Sequence, residues 1–274
     1  MGNQSAQVKK DTIADFGEQW TRFTKNTGYY ANIAVFKELL APFSHARPVQ
    51  GLRVADVGAG TGRYTQMLYQ LGAAAIDAYE PSQAVEVLRS NCAHLAGVQC
   101  LQMGAHELPA AVYDMVFCIG VLQFIPDDAG ALRAMRKALK PGGQLLVWVY
   151  AREGNGLYLA FIKPVRWLAG KLPKPWLQTL CSMLLWGADA YAWLCKKWPL
   201  PLPLKTYMTT YFSRMDKYSR RLIIFDQLNP SLARYYTKQQ LQILFEQAGF
   251  KNYTLHHHRS YSWTVLATVP IEAE

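Results

Sequence analysis

Residues 54–65 read Val54-Ala-Asp-Val-Gly-Ala-Gly-Thr-Gly-Arg-Tyr-Thr65, and the fold follows from how that stretch is read. An apolar strand pattern over 52–57 runs through a carboxylate and three glycines on alternate positions. It then enters the helical spacing Tyr64, Met67, Leu68, Leu71. Glycines allow positive φ and close backbone approach, and the first N–H groups of a helix have no partner within it, so strand, glycine turn and helix start make a nucleoside site. A dinucleotide fingerprint would need Gly-x-Gly-x-x-Gly, its last glycine packing helix on strand around a pyrophosphate. Here the pattern is Gly58-x-Gly60-x-Gly62, with Asp56 two residues ahead. A carboxylate there repels pyrophosphate and suits a ligand bearing a cationic amino group. A glycine turn with no ligand is the competing reading.

Outward from this stretch, strand and helix patterns alternate. Helical spacing is expected over 62–71, 82–95 and 127–139, and strands over 74–80, 98–103 and 113–119. Lys140-Pro-Gly-Gly143 is expected as a turn before a fifth strand over 144–150. Such alternation implies a parallel sheet covered on both faces. Residues 1 to about 10 read as a loosely ordered polar start. Two amphipathic helices follow, carrying Ile13, Phe16, Trp20 and Phe23, then Ile33, Phe36 and Leu40. Trp20 and Tyr30 either border a ligand mouth or pack on the sheet. After residue 150 the alternation stops, and 151–230 reads as a helical insertion rich in tryptophan and basic residues. A helix over 237–248, ended by Gly249, and strands over 253–257 and 262–269 close the chain. Three segments are therefore expected: a helical cover over 1–50, a core over 51–150 and 231–274, and an insertion over 151–230 that forms an acceptor lid.

With 274 residues, 51% of them hydrophobic, the chain can bury one full core with an elaboration. A net charge of +10 invites phosphate, yet no long Lys/Arg run is present, and a basic enzyme competes with a polyanion binder. Five cysteines without a Cys-x-x-Cys pair, and no secretory leader, point to a reducing cytoplasm and no structural zinc. No apolar run is long enough to span a membrane, though peripheral contact by the insertion remains open.

Four motifs in register resemble the class I S-adenosylmethionine-dependent methyltransferases. This implies a Rossmann-like, doubly wound α/β fold: a seven-stranded, mostly parallel sheet with N-terminal helices and a helical insertion after strand five. The resemblance places Asp56, Gly58, Ala59, Gly60, Thr61, Gly62 and Arg63 against the cofactor S-adenosyl-L-methionine. Glu80, followed by Pro81, matches the family's ribose ligand; a helix-start charge is the alternative. In Gly104-Ala-His-Glu-Leu-Pro109 the family's adenine-binding Asp is replaced by Gly104 or Ala105, leaving adenine to backbone groups and His106. The segment from Tyr113 to Asp127 resembles the fourth-strand motif, so Cys118, Ile119 and Gln123 should border the cofactor. Leu139 to Val147 completes the series.

The Asn/Asp-Pro-Pro-aromatic motif common in nucleic-acid and amide N-methylating relatives is absent, which argues against a nucleic-acid acceptor. The flanking segments Phe16-Gly-Glu-Gln-Trp20, Trp148-Val-Tyr-Ala-Arg-Glu-Gly154, Phe225-Asp-Gln-Leu-Asn-Pro230, Tyr235-Tyr-Thr-Lys and Ser262-Trp263 are similar to bacterial enzymes found beside polysaccharide and secondary-metabolite pathways. The resemblance implies methylation of a small-molecule or glycan acceptor, with oxygen ahead of nitrogen or carbon. A lipid or prenylated acceptor at a membrane surface, or a non-catalytic binding subunit, are the alternatives. If a hydroxyl is methylated, a base helps, and Asp226, His256 and His257, with neighbouring His258, are the candidates. Arg152 and Glu153 border an acceptor mouth or form a surface ion pair. Alternation along a strand puts His257 opposite its neighbours, which argues against a three-histidine metal site. The oligomeric state is not legible in the sequence.

Overall fold

The computed structural model describes residues 2–169, 174–229 and 231–271. Its axis is β1 (Arg53–Val57), which pairs in parallel with β2 (Ala75–Tyr79), itself paired with β3 (Val98–Leu101). On its other side lie β4 (Tyr113–Ile119) and then β5 (Leu139–Tyr150), also parallel. The final hairpin, β6 (Asn252–His258) and β7 (Ser262–Thr268), joins antiparallel through β7, giving the order β3-β2-β1-β4-β5-β7-β6. The strand order reverses between β1 and β4, and in open α/β sheets that switch point is where ligands bind, beyond the carboxyl ends of the strands.

The N-terminal helices are α1 (Gly2–Arg22) and α2 (Ile33–Leu40); α3 (Arg63–Gln70), α4 (Val85–Cys92) and α5 (Asp128–Ala138) follow β1, β2 and β4. Alternate side chains of the central strands face opposite layers. Val54, Met115, Phe117 and Leu146 pack with Phe36, Leu39, Met67 and Leu68 of α2 and α3. Ala55, Val57, Val116, Leu145 and Val147 pack with Leu132 and Met135 of α5 and with Leu241 and Phe245 further along the chain. Burying both faces is why these strands read as near-continuous apolar runs.

Two compact units are present. The first, residues 2–26, 33–155 and 231–271, holds the sheet. The second, residues 27–32 and 156–229, is helical: α6 (Gly156–Ala169), α7 (Lys174–Lys197), α8 (Lys205–Thr210) and α9 (Lys217–Leu228). It has its own small core of Leu185, Ala192, Cys195, Met208 and Phe212. Tyr30 belongs to this unit, its hydroxyl 3.9 Å from the Met215 sulfur. Within the sheet unit the chain leaves and returns at one place. Tyr236 bridges Ala151, accepting from Arg152 N–H at 2.9 Å and donating to the Tyr150 carbonyl at 3.0 Å. From there α10 (Lys238–Gln247) leads into β6.

Two local expectations are corrected. The first ten residues are not loosely ordered: α1 begins at Gly2. The Gln7 amide donates to Asp11 at 2.7 Å and Thr12 Oγ1 to the Val8 carbonyl at 2.8 Å, so polar i,i+4 contacts extend the amphipathic helix backwards. Lys140-Pro-Gly-Gly143 is no free turn but an irregular stretch inside β5, where the register slips between Tyr113↔Leu139 and Met115↔Gln144. Gly142 takes a φ of 74° and its N–H reaches the Val269 carbonyl, while Gly143 accepts from Val269 N–H at 2.9 Å. Pairing with the end of β7 thus overrides the local turn preference.

Candidate functional site

Asp56, next to last in β1, is 2% exposed. Thr65 Oγ1 from the first turn of α3 donates to its Oδ2 at 2.6 Å. Burial pushes the Asp56 carboxyl up to about 6, against the pull of Thr65, with nearby Glu80 adding to the rise. Glu80, just past β2, is 4% exposed. Its Oε2 accepts Gly60 N–H at 2.9 Å, and its Oε1 accepts both the Ser82 N–H at 3.0 Å and the Ser82 hydroxyl at 2.5 Å. A carboxylate offers about four acceptor positions. Three are taken here, which leaves one at Oε2 for a further hydroxyl. Neither Asp56 nor Glu80 has an ion-pair partner among the described residues.

The glycine turn joins these carboxylates. At Gly58 (φ 74°) a Cβ would stand 2.4 Å from Val121 of the loop after β4; at Gly62 (φ 84°) it would stand 2.8 Å from Cys92 Sγ. Only glycine fits either place. Four amides of this turn are engaged within the protein. Gly58 and Ala59 donate to the Tyr79 carbonyl, Gly62 to Ala59, and Gly60 to Glu80. Thr61 is likewise turned inward: its hydroxyl donates to Asn26 at 2.5 Å, and its carbonyl accepts from Asn26 and Asn91. Trp20 of α1 covers the turn, its Nε1 3.1 Å from where a Gly60 Cβ would be, with the Arg63 guanidinium 5.8 Å from its ring centre.

Across the switch point, Gln123 is completely buried, and both polar atoms of its amide lack a partner among the described residues. A buried amide left wholly unsatisfied is costly, and it fits a missing ligand. The loop around it is held by the returning chain. Arg234 donates to the Ile125 and Pro126 carbonyls at 2.5 and 2.7 Å and through its backbone to Gln123, and Tyr236 donates to Asp128 at 2.8 Å. Cys118, at the end of β4, is fully buried and its thiol is pushed up to about 12, so it stays neutral. Ile119 is buried and Pro81 half-buried. Gly104 donates to Glu107 at 2.6 Å, Ala105 is buried, and His106 Nε2 lies 3.2 Å from Asp127, tying the loop after β3 to the start of α5.

The candidate histidines are not brought to this cluster. His256 and His257 lie on β6, the sheet edge, four strand spacings or about 19 Å from β1. His257 stacks on Trp263 with ring centres 4.4 Å apart; His256 stands 6.3 Å from His258. His258 is buried, and burial with neighbouring Arg259 lowers it to about 4, so it is neutral at physiological pH. Asp226 lies half-buried on α9 in the helical unit. Glu153 neither pairs with Arg152 nor stands free: it accepts Lys238 N–H at 2.8 Å and Trp263 Nε1 at 3.2 Å, pinning α10 to β7. An open groove of about 710 Å³ between α10 and β6, lined by Lys238, Glu246, Phe250 and Tyr253, lies at the same far edge and holds no comparable carboxylate pair.

Thr65, Ser82, Asn26, Asn91 and Arg234 were not singled out by the sequence. Only Ser82 had a signal, a hydroxyl two residues past a carboxylate where strand passes into helix.

Residues 55–147 match the family model described as a methyltransferase domain. The chain is 28% identical over 181 residues to the ubiquinone biosynthesis O-methyltransferase of Paracidovorax citrulli, covering 64% of this chain and 75% of that relative. It is 30% identical over 116 residues to the tRNA U34 carboxymethyltransferase of Syntrophotalea carbinolica, covering 40% of this chain but only 36% of the relative. That likeness reopens the nucleic-acid acceptor that the motifs argued against. The crystal structure of an S-adenosylmethionine-dependent methyltransferase from Mesorhizobium loti shares the fold, with a TM-score of 0.53 at 16% identity over 86% of this chain and 97% of that one. With the motif series in register and the sheet in this order, residues 55–147 carry a methyltransferase domain of the class I, S-adenosyl-L-methionine-dependent type.

Proposed function

We propose that this enzyme transfers the methyl group of S-adenosyl-L-methionine to a hydroxyl of a small-molecule or glycan acceptor. The observation that carries the donor half is the pair Asp56 and Glu80, buried at either side of a glycine turn with no cation to match. Burying a carboxylate without a partner is costly, and a ligand with a cationic amino end and a ribose is its complement. When bound, the cofactor supplies a methyl group already activated on a sulfonium. Asp56 holds the cationic end, Glu80 Oε2 accepts a ribose hydroxyl, and Gly58 and Gly60 admit the ligand's close approach. Gln123 offers an amide to whatever lies across the switch point. Pro81, Cys118 and Ile119 make an apolar wall, while Gly104, Ala105 and His106 line the base.

Holding donor and acceptor in line in a dry site supplies about 7–11 kcal/mol of the barrier, so the reaction leans on orientation. Oxygen as the acceptor atom is supported by the O-methyltransferases among the relatives. Of the candidate bases, Asp226 remains: Asp226→Asn lowers kcat by about 10²–10⁴-fold with donor affinity unchanged if it takes the hydroxyl proton, and an unchanged kcat removes it. All five cysteines are free thiols, four of them buried, which supports a reducing, cytoplasmic setting. Calorimetry tests the donor site: wild type binds S-adenosyl-L-methionine in the micromolar range, and Asp56→Ala and Glu80→Ala each abolish binding. Undiminished binding in both would refute the assignment.

A further inference from the structure

Ten of the thirteen large hydrophobic side chains that stand exposed among the described residues fall between Leu157 and Leu204, so exposure is concentrated in the helical unit rather than scattered. On α7, Trp176, Met183, Trp186 and Trp193 recur at spacings of seven, three and seven, which keeps them on one face. They are 65, 67, 80 and 61% exposed. The opposite face, with Cys181, Leu185, Ala192 and Cys195, is the buried one. A helix apolar on both sides but packed on one leaves a second apolar stripe to be covered. α6 repeats the arrangement: Leu157, Phe161 and Trp167 are exposed, while Leu159 and Ile162 on the other side are buried. Trp198 and Leu200, just past α7, extend the apolar exposure.

The charge of the same unit identifies what covers it. Between 156 and 230 the chain carries eleven basic and three acidic residues, so this unit holds +8 of the chain's +10. The one acid between 156 and 215, Asp189, is tied to Arg220 at 2.8 Å. Lys163 flanks the α6 stripe, and Lys196 and Lys197 close α7; all three are exposed. We propose that the helical unit docks on the surface of an anionic lipid bilayer, its tryptophan stripes entering the headgroup region and its lysines pairing with lipid phosphates. Indoles favour that depth because one edge is polar and the body apolar, and basic amphipathic helices bind anionic lipid by the two forces together. A second copy of the chain would bring +8 against +8, which opposes dimerisation through this face. Among the described residues no helix is long and apolar enough to cross the bilayer, so the contact proposed is peripheral.

The test is flotation of the purified full-length protein with phosphatidylcholine vesicles, with and without phosphatidylglycerol, at low and high salt. Binding is expected only to the anionic vesicles, weakened by salt, with a blue shift in tryptophan emission. Trp176→Ser/Trp186→Ser/Trp193→Ser should abolish it, and Lys196→Glu/Lys197→Glu should weaken it by about thirtyfold or more. Cofactor calorimetry on the same proteins reads the sheet unit, so a folding defect and a failed donor assignment are both distinguished from lost docking. The proposal falls if wild type fails to float with anionic vesicles at low salt, or if both variants float as wild type does. It also falls if the tryptophan substitutions convert a solution dimer to monomer, or if an RNA oligonucleotide binds this face in preference to the vesicles.

Discussion

Burying Asp56 without a cation costs stability, and the cost has a pH signature. Its folded-state value, about 6, lies above the unfolded one, so the proton-bound form is the one the fold favours. The contribution is complete below pH 4 and disappears as pH rises through about 6. The cofactor-free protein should therefore resist urea better at pH 5 than at pH 7 through this group, while affinity for a cationic donor rises from pH 5 to pH 7. Asp56→Asn should raise the stability of the cofactor-free protein at pH 7 by up to about 3 kcal/mol and still eliminate donor binding, read by denaturation and calorimetry side by side. Asp56 and Glu80 were legible because their chemistry shows in their neighbours along the chain. Thr65, Asn26 and Asn91 were not, since a hydroxyl or amide takes its partner from the third dimension. The histidines misled for a related reason: consecutive residues reveal the faces of a strand but not that β7 comes between β5 and β6.

Elements whose signals are local were read well. The helix expected over 237–248 is α10, started by a capping box in which Thr237 Oγ1 accepts Gln240 N–H at 3.1 Å while the Gln240 side chain accepts Thr237 N–H at 2.9 Å. Thr237→Ala should cost about 0.5–2 kcal/mol in denaturation and leave donor affinity unchanged, since α10 packs on the sheet and contributes no residue to the carboxylate pair. Gly58→Ala should do the opposite, weakening donor binding by tenfold or more on calorimetry: φ of 74° and the approach to Val121 force the turn to move. Lys140-Pro-Gly-Gly143 shows where local reading fails. Its composition announces a turn, and a seventh strand bonded alongside turns it into an irregular stretch of sheet.

At the scale of the whole molecule, all residues proposed to hold the donor belong to the sheet unit, which the chain leaves and re-enters beside the Ala151–Tyr236 bridge. Replacing residues 156–230 by a short Gly-Ser linker should keep donor affinity within about tenfold, because loop length adds only slowly to closure cost, and should abolish vesicle flotation. Loss of donor binding in that protein, with the sheet still folded by circular dichroism, would contradict the division of labour. The uncompensated carboxylates then acquire a meaning beyond catalysis. A donor present at a hundred times its dissociation constant adds about 2.7 kcal/mol to the stability of whatever binds it, and this chain folds with a charge deficit that only such a ligand makes good. In a cell whose methyl-donor pool shrinks, more of the enzyme opens and reaches the proteases, so its abundance falls along with the supply of what it consumes.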